Sequence, residues 1–91
     1  MTAIEDDWRY QSARDLRGQS FVFKPYTQYR EGWDHDHCSA CGDTLAHASV
    51  LPDALHAGWA VTADHVRGAD YVWVCQECFA LLKDVLEWTP R

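Results

Sequence analysis

The spacing of apolar and polar positions along the chain divides it into a few short elements. Ser20 to Lys24 alternates, with Phe21 and Phe23 on one side, and reads as a strand that Pro25 stops or places at an edge. Trp59–Thr62 and Tyr71–Val74 are rich in aromatic and β-branched residues. They read as two strands of an antiparallel hairpin joined by Ala63–Asp70. Thr44–Leu51 reads as a further short strand and Pro52–Gly58 as a loop or helical turn. Cys75, Cys78, Phe79, Leu82, Val85 and Leu86 recur at helical spacing, while Gln76, Ala80, Lys83 and Glu87 trace the opposite face. This predicts a C-terminal helix running to Trp88, with Pro90 after its end. Ser12–Gln19 gives at most a turn of helix ending at Gly18. Residues 1–12 read as a mobile, charged end, which leaves 13–91 as a single domain. The predicted class is α+β: a small antiparallel sheet of about three to five strands with one C-terminal helix.

Composition changes this picture in one respect. The chain has 91 residues, and a domain of this size often needs a staple beyond its apolar core. Its only four cysteines form two Cys-x-x-Cys pairs, Cys38/Cys41 and Cys75/Cys78, separated by 33 residues. Two residues between thiolates allow both sulfurs to face one ion, and two such pairs complete a tetrahedral four-thiolate shell. The expected occupant is one structural Zn²⁺. Gly42 follows the first pair and permits the positive φ that turns backbone amides toward sulfur. The second pair falls at a strand-to-helix junction, where a helix N-terminus favours negative sulfur.

Cys38-Ser-Ala-Cys41-Gly42 and Trp73-Val-Cys75-Gln-Glu-Cys78-Phe79 resemble the knuckle and the helix-opening pair of treble-clef and ribbon-like zinc fingers, over roughly residues 37–88. Together with Asp34-His-Asp-His-Cys38, they are also similar to small bacterial proteins, a likeness that implies no activity. The excess of Arg over Lys, six to two, fits a GC-rich bacterial genome. Treble clefs serve protein binding, nucleic-acid binding and catalysis alike, so the resemblance selects no function.

Two other uses of the cysteines compete with zinc. Cys41-Gly42, the acidic charge and the aromatic content resemble rubredoxin, whose four-thiolate iron transfers single electrons. However, rubredoxins carry Gly after each pair, and here Phe79 follows the second. A thiol redox role for Cys75-Gln-Glu-Cys78 resembles thioredoxin, but the surrounding βαβ pattern is missing.

Four thiolates leave no open coordination position for water, and no nucleophile–base pair stands out, so the expectation is no enzyme. His35 and His37 read as polar residues beside the metal site; an extra ligand is unnecessary when four thiolates are present. His47, His56 and His65 show no ligand spacing.

The formal charge is −6, and four thiolates with one divalent ion take it to about −8. That repels phosphate backbones and favours a basic protein partner, in the manner of an inhibitor or immunity protein. Arg9, Arg14, Arg17, Lys24 and Arg30, interleaved with Trp8, Tyr10, Phe21, Tyr26 and Tyr29, form the alternative, a nucleic-acid arm. Seven acids share residues 1–37 with them. Trp8 and Trp33 are candidate anchors for a partner. No apolar leader or membrane span is visible, and reduced thiols fit a cytoplasmic location.

Overall fold

The alternating stretch Ser20–Pro25 (β1) is one of the two inner strands of the main sheet in a computed structural model that describes residues 3–91. β1 pairs antiparallel with Ala57–Val61 (β4), placing Phe21 opposite Val61 and Phe23 opposite Trp59. β4 in turn pairs antiparallel with Trp73–Val74 (β5), the predicted hairpin in shortened form. On its other side β1 takes a parallel partner, Thr89–Pro90 (β6), so the order is β5-β4-β1-β6 and the sheet is mixed. The expectation of a purely antiparallel sheet is corrected here. A second, two-stranded sheet pairs His35–His37 (β2) with Thr44–Ala46 (β3). Residues 47–51, expected to extend that strand, instead fold into turns around His47.

β6 is parallel because of how the last helix ends. Gln76–Leu82 (α2) is shorter than its apolar periodicity predicts, although helical hydrogen bonds continue to Leu86. Glu87 adopts φ 57°, with Glu87 N–H donating to Asp84 O and Trp88 N–H to Lys83 O. This is a Schellman stop built on a non-glycine residue. It reverses the chain, and Thr89 and Arg91 then donate to Gln19 O and Phe21 O at 3.0 and 2.7 Å. The indole of Trp88 is buried and donates to Leu16 O.

One face of the large sheet packs on α2. Trp59 and Phe79 stack with centroids 3.9 Å apart and planes 8° apart, and Phe21 meets Phe79 edge-on. Phe21, Val61, Val74, Leu82 and Leu86 are essentially inaccessible. Residues 3–12, read from sequence as part of a mobile, charged end, hold a 3₁₀ turn at Ile4–Asp6 and all but the last residue of the helix Trp8–Ala13 (α1); Met1 and Thr2 lie outside the described residues. Asp7 caps α1 by accepting from Arg9 N–H. Gly58 sits where a Cβ would come within 2.7 Å of Leu45 Cδ2 and 3.1 Å of Val74 O. Its missing side chain is what lets the small sheet close on the large one.

Candidate metal centre

The first cysteine pair lies in the turn between β2 and β3. Gly42 there adopts φ 84° and donates to Cys38 O, while Cys38 N–H donates to Asp43 O. This tight turn aims amides inward, as the Gly42 position predicts. Ala40 and Cys41 N–H groups point at Cys38 Sγ from 3.4 and 3.5 Å. A third amide, from Cys75, reaches the same sulfur at 3.3 Å. The second pair stands at the start of α2, with Cys75 as the capping residue in extended conformation and Cys78 in the first turn. Cys75 makes no side-chain cap, so its sulfur is free to face the first pair.

All four Sγ atoms lie within 4.8 Å of one another, and Cys41 and Cys75 are 3.7 Å apart. A tetrahedron with metal–sulfur bonds of about 2.3 Å has edges of about 3.8 Å. The cluster therefore has the dimensions of a single four-thiolate ion site. Cys38, Cys75 and Cys78 are buried, and Cys41 is half-buried.

The electrostatics of the pocket call for a cation. Burial pushes the Cys41 thiol up to about 12 and raises that of Cys78 as well. Cys38 is buried too, but the amides of Cys75, Cys41 and Ala40 outweigh desolvation and hold its thiol below the ordinary value. One sulfur is thus prepared to be negative, while two resist ionisation unless a metal accompanies them.

Arg9, which the sequence offers only as part of a basic arm, also bears on this chemistry. Asp7 grips its guanidinium through Nε and a terminal nitrogen at 3.0 and 2.8 Å. The pairing holds the Asp7 carboxyl down at about 2. The bond to Asp7 is in turn the main influence holding the Arg9 guanidinium charged, and the sulfurs of Cys78 and Cys41 add a smaller attraction when they are ionised. No spacing rule links residue 9 to residues 41 and 78; only the docking of α1 brings them near.

Among the described residues no histidine joins the four sulfurs in their cluster. His35 and His37 are exposed on β2, with their ring centroids 5.2 Å apart. His37 Nδ1 lies 3.2 Å from Gly42 O and so braces the knuckle turn from outside. Asp36, between them, points inward and accepts from Tyr26 Oη at 2.9 Å. His47 meets Ser49 Oγ, His65 stacks on Tyr71, and His56 lies between Ala46 O and Pro52 O. Of the two candidate anchors, Trp8 is 58% exposed, whereas Trp33 packs with Tyr29 and Tyr71.

Comparison with protein-family models, curated proteins and solved structures gives no match, and no family is assigned on similarity.

Proposed function

We propose that this chain is a non-enzymatic binding module whose fold is stapled by one structural Zn²⁺ in a treble-clef-type site, and that it recognises a basic protein. The observation carrying the first half is the four-sulfur cage of tetrahedral dimensions. With every coordination position supplied by the protein, no place remains for the water that a hydrolytic zinc needs. Zinc is favoured over rubredoxin-type iron because the second pair opens α2 instead of forming a second knuckle.

The partner reading rests on surface chemistry. Val50, Leu51 and Leu55 are 40–44% exposed on one loop, and Asp43 and Asp53 flank hollows beside Leu51 and Leu55. An apolar patch edged by carboxylates suits a partner with apolar and cationic groups side by side. The competing nucleic-acid arm loses most of its free charge. Arg9 pairs with Asp7, Arg17 with Glu87 and Lys24 with Asp70, while Arg30 lies over Trp33.

Metal analysis of the purified protein, combined with affinity capture, tests both halves. The expected result is about one zinc per chain in a colourless protein. A basic protein should be retained by the native chain and lost with Leu51→Glu. A red protein containing iron, or retention of nucleic acid alone with steep salt dependence, would overturn the reading.

A further inference from the structure

The two histidines that the thiolate cluster leaves aside share a geometry of their own. His35 and His37 occupy alternate positions of β2, so their side chains leave the same face of the strand. Pairing with Ala46 and Thr44 of β3 fixes the backbone under both. His35 Nδ1 lies 2.8 Å from Asp34 Oδ1, and His37 Nδ1 lies 3.2 Å from Gly42 O. A carboxylate and a carbonyl only accept, so in the neutral ring each Nδ1 carries the hydrogen; Thr44 Oγ1, 3.4 Å from His37 Nδ1, then stands as a longer second acceptor. Nε2 is then the bare nitrogen on both rings. This is how a carboxylate or carbonyl partner readies a histidine for a metal.

The spacing fits as well. An ion bound at Nε2 by a bond of about 2.1 Å lies about 3.2 Å from the ring centre, so two imidazoles at a tetrahedral angle have centroids about 5 Å apart. The centroids of His35 and His37 are 5.2 Å apart, with the rings nearly perpendicular. The His35 side chain is 45% exposed and borders an open hollow of about 460 Å³ lined also by Arg30, Glu31, Gly32, Trp33 and Asp34; His37 lies outside that hollow but is exposed as well. Solvent thus reaches both rings and can fill the remaining coordination positions.

We propose that His35 and His37 form a second, solvent-open site for a divalent cation of the imidazole-preferring class, such as Ni²⁺, Cu²⁺ or Zn²⁺. It is distinct from the buried sulfur cage. Two nitrogen ligands and an open shell make this an exchangeable site, whereas the sulfur site is closed.

The test uses the zinc-loaded full chain and Ni²⁺ as probe, followed by paramagnetic broadening in NMR and by calorimetry, with zinc content checked throughout. The expected result is saturable binding of Ni²⁺, broadening centred on His35 and His37, and zinc retained. His35→Ala or His37→Ala should each weaken binding by at least about tenfold, and Asp34→Asn, which acts through the His35 ring, by about tenfold. His65→Ala should change nothing. His35→Ala stands farther from the knuckle and serves if His37→Ala disturbs Gly42. Broadening unaffected by His35→Ala, or nickel binding only as zinc is released from the cysteines, would overturn the proposal.

Discussion

The amide of Cys75 donates to the sulfur of Cys38 at 3.3 Å, across 37 residues of chain. This bond joins the knuckle to the start of α2 directly. Ser39 N–H reinforces it by donating to Trp73 O at 2.9 Å. Cys38 Sγ is thus the sulfur with most protein hydrogen bonds, and Cys41 the one most open to solvent.

The two cysteines of the first pair should therefore respond differently to replacement. Cys38→Ser removes a ligand and leaves three amides facing a harder, smaller atom. It should abolish stoichiometric zinc and cooperative unfolding. Cys41→Ser, at the open edge, should retain weakened metal binding and a lower but measurable melting transition. Zinc content and thermal unfolding by circular dichroism check the ordering.

Metal affinity should rise with pH. With the four sulfurs in this arrangement and no ion among them, burial pushes the Cys41 thiol from 9.0 to about 12. A raised thiol favours the folded state below its unfolded value, and that advantage is lost as pH rises from about 9 through about 12. The ion reverses the sign, because it binds thiolates and displaces protons. Calorimetric zinc titration in buffers of different ionisation enthalpy should show net proton release near neutrality and tighter binding at higher pH.

Arg9 should matter to acid stability. Its positive charge near Cys78 and Cys41 favours their anionic, metal-bound form. Arg9→Gln should shift acid-induced zinc release to higher pH while leaving the secondary structure in place. A chromophoric chelator monitored during acid titration reads this midpoint directly. A midpoint unchanged by the substitution would remove Arg9 from the account.

Gly58→Ala should be destabilising by about 1–3 kcal/mol, because the added methyl meets backbone at Val74 O as well as Leu45. Gly68→Ala meets nothing within 4 Å but sits at φ 93°, so its cost is backbone strain alone. Denaturant unfolding of both variants separates packing from conformation.

The sequence carried the metal centre more fully than it carried the fold around it. Cys-x-x-Cys-Gly encodes the knuckle locally, and the run Cys75 to Phe79 encodes the helix start, so both halves of the cage were legible from spacing. The length of α2 was not, since Val85 and Leu86 keep helical periodicity while Glu87 breaks the helix without a glycine to announce it. The parallel strand Thr89–Pro90 follows from that reversal and has no signal of its own in two residues. The docking of α1 depends on tertiary contacts; Asp7 capping it is visible locally, but the approach of Arg9 to the sulfurs is not.

Chelation tests the central claim most directly. Treating the zinc-loaded protein with excess chelator under reducing conditions, and following the near-ultraviolet signal of the buried Trp73 and Trp88, should show tertiary structure lost as zinc leaves and regained when zinc returns. An unchanged aromatic signal and intact cooperative unfolding in the metal-free chain would contradict the account, because the knuckle and α2 would then be held together by something other than a shared ion.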